Sequence, residues 1–130
     1  MIRDESEKIK IVARRFQVTD NLNSSSMDES TFYRLAQEVY DRILTALDDE
    51  DPDVVEGDMN AGVLKINFPS GTPYILNTQR PVCEMWLAAG KQAWHFRYDA
   101  DQWICPKTQD ELYSRLQSLL NERTGLQISF

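Results

Sequence analysis

Apolar residues recur at three- and four-residue intervals after Asp28, which is the spacing of one buried stripe on an α-helix. The stripe consists of Phe32, Leu35, Ala36, Val39, Ile43 and Leu47. Asp28 or Ser30 can cap the N-terminus, because a side-chain oxygen there accepts a hydrogen bond from a backbone N–H group that the first turn leaves unpaired. The pattern predicts a first helix that begins near Asp28 and buries this stripe.

Beyond Pro52, short apolar runs alternate with polar residues and are separated by Gly, Pro, Asn and Asp, which is typical of antiparallel strands. The predicted strands are residues 54–58, 63–68, 74–78, 83–88, 93–98 and 102–105. A second helix follows, because Thr108 and Glu111 fit a capping box and Gly125 stands at the position of a C-terminal cap. Its apolar stripe is Leu112, Leu116, Leu119 and Leu120.

The order helix, strands, helix predicts an α+β fold: a two-layer sandwich with two helices packed on one face of a five- to six-stranded antiparallel sheet. Residues 1–27 differ from the rest, since they hold one short apolar run and a polar Asn-Leu-Asn-Ser-Ser-Ser stretch typical of a linker. We expect residues 1–27 to be a poorly ordered extension, rather than a docked strand or helix, and residues 28–130 to be one domain.

The acidic residues are concentrated in one stretch. Nine of the 21 lie between Glu38 and Asp58, where Arg42 is the sole basic residue, so this stretch carries a net charge of −8. They are Glu38, Asp41, Asp48, Asp49, Glu50, Asp51, Asp53, Glu56 and Asp58. Asp48 and Asp49 also meet the negative end of the helix macrodipole. Such a run is usually a solvated face, but it also offers hard oxygen ligands to a cation and a strong field to a basic partner.

The composition argues against several classes of function. The chain lacks the clustered Lys and Arg that phosphate binding requires, so we expect no nucleic-acid partner. No apolar run reaches the roughly 18 residues that span a bilayer, and the N-terminus lacks a secretory signal, so we expect a cytoplasmic protein without a membrane partner. Cys83 and Cys105 lack CxxC spacing and should be separate, reduced thiols. The single histidine, His95, is an auxiliary metal contact or, more simply, a solvated sheet residue.

Alternation along the strands indicates what the sheet presents to solvent. Cys83, Met85 and Leu87 share one side of their run, so Glu84 and Trp86 share the other. In the next run Trp94, Phe96 and Tyr98 oppose His95 and Arg97. We expect an exposed Trp86 beside Asn77 and Gln79, as in many protein-binding surfaces, or alternatively a Trp86 that lies over neighbouring side chains.

Seven segments together resemble the bacterial frataxin family, known as CyaY. They are Leu47-Asp-Asp, Asn60-Ala-Gly-Val-Leu-Lys-Ile-Asn-Phe68, Asn77-Thr-Gln79-Arg-Pro81, Met85-Trp-Leu-Ala88, Trp94-His-Phe96, Trp103-Ile-Cys105 and Gly125-Leu-Gln-Ile-Ser-Phe130. The resemblance covers about residues 28 to 130. The chain departs from the family pattern where Ala93-Trp-His-Phe96 replaces Gly-Tyr-His-Phe, where Thr78 replaces a common Arg, and where the acidic loop contains Pro52.

The resemblance implies the α-β-α frataxin sandwich and an iron-binding protein that acts as an iron chaperone and regulator of iron–sulfur cluster assembly, without catalysis of its own. It implies ferrous or ferric iron held weakly by carboxylates, no organic cofactor, and a monomer in the absence of metal. The implied partners are an IscS-type cysteine desulfurase and its iron–sulfur scaffold protein. The family's iron-binding positions, here named the acidic ridge, correspond to Asp41, Asp48, Asp49, Asp51, Asp53, Glu56 and Asp58. Its partner contacts on the sheet correspond to Asn77, Gln79, Pro81 and Trp86.

Two other functions stay open at this point. The first is an iron-oxidising, iron-storing protein, which would show catalytic oxygen consumption and metal-driven oligomers. The second is an acidic adaptor whose binding to its partner depends on salt and is indifferent to iron.

Overall fold

The computed structural model of the protein describes residues 27–130, so the predicted extension, Met27 excepted, lies outside the described residues. Within them, two α-helices flank six strands along the chain. The helices are α1 (Glu29–Asp48) and α2 (Leu112–Thr124), and the strands are β1 (Glu56–Asn60), β2 (Val63–Asn67), β3 (Tyr74–Gln79), β4 (Glu84–Ala89), β5 (Gln92–Asp99) and β6 (Gln102–Ile104). The core lies within the unit Phe32–Phe130.

Helix α1 begins where the sequence predicts. The backbone N–H of Thr31 donates to Asp28 Oδ1 at 2.8 Å, so Asp28 is the N-terminal cap. The predicted stripe is buried apart from Leu35, which is half-buried, and Tyr40 joins it. No helix within residues 27–130 is long and apolar enough to cross a membrane.

Helix α2 is capped by a different residue from the one predicted. It starts at Leu112, and the Glu111 carboxylate accepts hydrogen bonds from the N–H groups of Tyr113 and Ser114, both at 3.0 Å. Glu111 therefore takes the capping role that the sequence assigned to Thr108. Gly125 ends the helix with a φ of 76°, and its N–H donates to the Asn121 carbonyl oxygen, as a C-terminal glycine cap does.

The six strands form one antiparallel sheet in the order β1-β2-β3-β4-β5-β6, a simple meander. The predicted α+β architecture is confirmed, and the number of strands is the upper of the two expected. Strand β1 lies at one edge of the sheet and β6 at the other.

Three predicted strand starts were wrong, and for β5 the error is one residue, since it begins at Gln92 rather than at residue 93. β1 begins at Glu56 rather than at residue 54, because the N–H groups of Val54 and Val55 donate to the Asp51 carbonyl oxygen at 2.9 and 3.1 Å and close a turn there. The third error concerns the fourth strand. Cys83 has a φ of 51°, in the left-handed region, and ends the short 3-10 helix Arg80–Val82, so β4 begins one residue later.

The core lies between the sheet and the helices. Inward-facing strand residues such as Leu64, Leu76 and Met85 are fully buried. At Gly57, β1 passes close to α1: a Cβ added there would lie 2.8 Å from Leu44 Cδ2 and 3.2 Å from Leu47 Cδ1. The opposite side of the sheet is here named the open sheet face. It carries the alternate residues of every strand.

Candidate functional site

The helical part of the acidic ridge is exposed. Asp41 lies on the solvent side of α1, where its Oδ1 accepts a hydrogen bond from Gln37 Nε2 at 2.9 Å. Asp48 is the last residue of α1 and Asp49 follows it, and the last turn holds no basic residue to offset the macrodipole. Asp41 and Asp49 line the same surface hollow of about 430 Å³. These three carboxylates are therefore open to solvent and to a partner.

The loop part of the ridge is partly structural. Asp51 Oδ1 accepts a hydrogen bond from the backbone N–H of Asp53 at 2.9 Å, and the Asp51 carbonyl oxygen closes the turn into β1. One of its carboxylate oxygens is thus occupied by the fold. Asp53, in contrast, is exposed and offers its carboxylate to solvent.

The strand part of the ridge lies on the open sheet face. Gly57 faces α1, so alternation places Glu56 and Asp58 on the other side of β1, and both are exposed. Asp58 is paired in register with Lys65 of β2. The ridge therefore follows the β1 edge of the sheet from the helix side to the open face, rather than forming one flat patch.

The ridge is an array of separate carboxylates. Among residues 27–130, no three His, Cys, Asp or Glu side chains are grouped closely enough to hold a metal ion. The side-chain ion pairs of that part of the chain are Arg34–Glu38, Arg97–Glu84 and Arg115–Asp110, so none joins a ridge residue to a cation. The charge of the ridge is left largely unopposed. Such an array can attract a hard cation and exchange oxygen ligands with water, but it does not form a closed coordination shell.

The register of the sheet brings three of the four predicted partner-binding residues together. Asn77 is paired with Trp86, and Gln79 with Glu84, so all lie on the open sheet face. Pro81 lies just beyond, in the 3-10 helix between β3 and β4, and is exposed. The neighbouring Val82 has 53% of its surface exposed and adds an apolar side chain to this corner.

Trp86 is less exposed than we expected. Its ring stacks on His95, with centroids 3.9 Å apart and planes 9° from parallel, because β4 and β5 pair these two residues in register. The indole is half-buried, and its Nε1 donates to Glu84 Oε1 at 2.9 Å. The alternative interpretation, a Trp86 that lies over neighbouring side chains, describes the structure better.

Glu84 is the residue whose role the sequence did not reveal. It is 7% exposed although it lies on the open face, and Arg97 Nε donates to its second oxygen at 2.9 Å. A buried carboxylate is tolerated when charged and polar donors satisfy it, as Trp86 and Arg97 do here. Alternation along β4 indicates that Glu84 lies on the same face as Trp86. It does not indicate which residue of β5 lies opposite Glu84, because that depends on the register between the two strands.

Comparison with known proteins agrees with this architecture. A family model of the frataxin-like domain matches residues 25–126. Frataxin from Psychromonas ingrahamii, of the CyaY family, is similar at 27% sequence identity and a TM-score of 0.74, over 79% of this chain and 97% of that one. Trimeric frataxin from the yeast Saccharomyces cerevisiae, complexed with ferrous iron, shares the fold at 19% identity and a TM-score of 0.62, over 80% and 92%.

A second structure of trimeric yeast frataxin, with the full-length N-terminus, has the same identity of 19% and TM-score of 0.62, and covers 88% of this chain and 100% of that one. The resemblance carried by the seven sequence segments is confirmed by the family model and by the bacterial structure. Since the family model spans most of the chain, this protein belongs to the frataxin-like family.

Proposed function

We propose that this protein binds iron weakly through its acidic ridge and acts as an iron chaperone and regulator of iron–sulfur cluster assembly. The observation that carries the proposal is the net −8 stretch, in which no ion pair within residues 27–130 neutralises a ridge carboxylate. Membership of the frataxin-like family supports it, as does the ferrous complex of the yeast relative.

Separate carboxylates suit an ion that has to be passed on. Iron accepts oxygen ligands from Asp and Glu, and water completes the shell where the protein offers too few. Asp41 and Asp49 beside one hollow, with Asp48 at the helix end, form the part of the ridge with the most carboxylates open to solvent. Iron is cargo in this proposal, and the protein performs no turnover of its own.

The same ridge is the proposed docking surface for a cysteine desulfurase that presents a basic surface. Opposite charges would raise the association rate and make binding depend on salt. The open sheet face, with Asn77, Gln79, Pro81 and Trp86, is the proposed contact with the desulfurase and its iron–sulfur scaffold protein. The stacked Trp86 supplies a rigid aromatic surface, which is the usual centre of such a contact.

The test is sulfide production by a bacterial cysteine desulfurase with its scaffold protein, measured with and without this protein across ferrous iron concentrations. We expect an iron-dependent change in rate that Asp48→Asn/Asp49→Asn loses. The matched control is Asp99→Asn/Glu122→Gln, which removes two exposed acids outside the ridge. If both double variants behave alike, the ridge has no specific role.

The same assay separates the alternatives. A rate change that is independent of iron and of chelators, yet abolished by salt, would favour the acidic adaptor. No rate change at saturating protein, together with iron-dependent oxygen consumption, would favour iron oxidation and storage. Either result would contradict the proposal.

A further inference from the structure

A cavity of about 410 Å³ lies beside β5 and the end of β6, away from the acidic ridge. The residues that define its chemistry are Glu84, His95, Arg97, Cys105, Lys107 and Thr108. Its size is within the range of small-molecule sites. The cavity combines cationic side chains with a thiol, a combination that neither the ridge nor the partner contacts use.

The cavity is positively charged in an acidic protein. Arg97 and Lys107 are exposed cations on its wall, and Glu84 is the single acid that lines it among the described residues. Both oxygens of Glu84 are already occupied, by Trp86 and Arg97, and its side chain is 9% exposed. The surface that a ligand meets is therefore cationic, although the whole chain carries −7. A small anion fits such a wall.

The surroundings of Cys105 favour the thiolate form of its side chain. Burial acts to raise its pKa, but hydrogen bonds from the side chain and backbone of Thr108 and from the backbone of His95 and Lys107 outweigh burial, so that the pKa is lowered. The loop that supplies the Lys107 and Thr108 donors is held in place, since Cys105 N donates to the Asp110 carbonyl oxygen at 2.9 Å and Gln109 N donates to the Cys105 carbonyl oxygen at 2.7 Å. The thiolate is the nucleophilic form of cysteine.

We propose that this cavity is a modification site in which Cys105 undergoes thiol–disulfide exchange with small disulfides that carry carboxylates. The Cys105 thiol first loses its proton to solvent. The thiolate then attacks one sulfur of the disulfide R–S–S–R, the bond between the two sulfurs breaks, and its electron pair leaves with RS⁻. The product is the mixed disulfide Cys105–S–S–R. Arg97 and Lys107 hold the carboxylates of the incoming group.

The chain contains its own reference thiol. Cys83 is half-buried, lies outside the cavity, and donates from Sγ to the Arg80 carbonyl oxygen at 3.6 Å. The two cysteines are not bonded to each other, as the sequence predicts. Cys105 is the less accessible of the two, at 4% exposed, so simple accessibility would make Cys83 react first. A faster reaction at Cys105 than at Cys83 would therefore show that the cavity, rather than accessibility, determines which thiol reacts.

The experiment treats the full chain separately with glutathione disulfide, which is anionic, and with cystamine, which is cationic. Mass spectrometry after digestion gives the rate at each cysteine, and Cys83 normalises the intrinsic reactivity of the two reagents. We expect the ratio of Cys105 to Cys83 modification to be on the order of tenfold higher with glutathione disulfide, against the overall charge of the protein. The rate at Cys105 should also level off at a lower pH than that of an unperturbed thiol.

Lys107→Gln should bring the ratio of Cys105 to Cys83 modification with glutathione disulfide most of the way down to the ratio obtained with cystamine, because it removes one of the two cations that hold the carboxylates. Lys65→Gln, an exposed lysine on β2, is the matched control and should preserve the preference. The proposal is overturned if Cys83 reacts faster than Cys105 with both reagents. It is equally overturned if Cys105 reacts only in denaturant, or if its ratio is the same for the two reagents.

Discussion

The acidic ridge and the open sheet face are built in opposite ways. Ridge carboxylates such as Asp48, Asp49 and Asp53 are exposed, and no ion pair within residues 27–130 engages them. On the open face, Trp86 stacks on His95 and both oxygens of a buried glutamate are bound. Exposed single charges contribute little to stability, whereas interlocked groups contribute through their partners. Changes in the ridge should therefore affect binding, and changes in the face should affect folding as well.

The largest effect should come from Glu84→Ala. This change removes the acceptor of Arg97 Nε and of Trp86 Nε1 and leaves the half-buried indole N–H unpaired. Two charge-assisted hydrogen bonds, discounted because the Arg97 side chain is 64% exposed, are worth about 3 kcal/mol of unfolding free energy. Urea unfolding measures the loss, with Glu122→Ala on the exposed side of α2 as the control. A loss no larger than that of the control would remove the distinction between ridge and face.

If the proposed desulfurase and scaffold protein bind the open sheet face, Trp86→Ala should weaken that binding by about 2 kcal/mol, roughly thirtyfold in Kd. Trp86→Phe should retain most of the affinity, because a phenyl ring can still stack on His95. Binding is measured by calorimetry after circular dichroism has shown that each variant is folded. Tyr33→Ala, which removes an exposed aromatic residue from α1, should have little effect. Equal losses of affinity for Tyr33→Ala and Trp86→Ala would contradict the proposal that the open sheet face is the binding surface.

A hydrogen bond links α1, which carries the helical part of the ridge, to the turn that follows β1. Tyr40 of α1 donates from its hydroxyl group to the Gly62 carbonyl oxygen, in the turn between β1 and β2, at 2.9 Å. Tyr40→Phe should lower the unfolding free energy by about 1 kcal/mol at neutral pH. Urea unfolding measures this difference. An unchanged unfolding free energy would show that packing alone holds α1 against the β1 edge.

The same substitution has a pH signature. Burial raises the pKa of Tyr40 to about 12, above its ordinary value of 10.0. Its contribution is therefore complete below pH 10.0, and it is lost as the pH rises towards 12 because the unfolded chain deprotonates first. The difference in unfolding free energy between the native protein and Tyr40→Phe should shrink over that interval. Other tyrosines are common to both proteins and cancel in the comparison.

Much of the fold could be predicted from local pattern. The spacing from Phe32 to Leu47 defines α1, because each of these positions has to face the same core. Alternation in β4 correctly placed Met85 inside and Trp86 on the other face. The prediction of β4 was wrong at Cys83, because the positive φ of this residue ends the 3-10 helix and excludes it from the strand, although its side chain fits the alternation. Periodicity carries no information about such a residue.

The candidate site could be predicted less completely. The composition of the ridge is a property of the sequence, but its course around the β1 edge depends on Gly57 facing α1. The stack of Trp86 on His95 and the hydrogen bonds of Glu84 depend on the register between β4 and β5, which a single strand does not specify. The cavity at Cys105 depends on a loop after β6 whose turn follows from hydrogen bonds rather than apolar spacing.

The smallest expected change in stability, and the most informative one, is that of Asp48→Asn/Asp49→Asn. Both side chains are exposed beside the negative end of the α1 macrodipole, so removing their charges should raise the unfolding free energy by a few tenths of a kcal/mol. Ferrous iron binding, followed by anaerobic calorimetry, should weaken in the same protein. A gain in stability with a loss of binding would mean that these charges are kept for function at a cost to the fold. A protein destabilised by about 1 kcal/mol or more would instead show that the two carboxylates support the helix end, and the contrast between ridge and face would fail there.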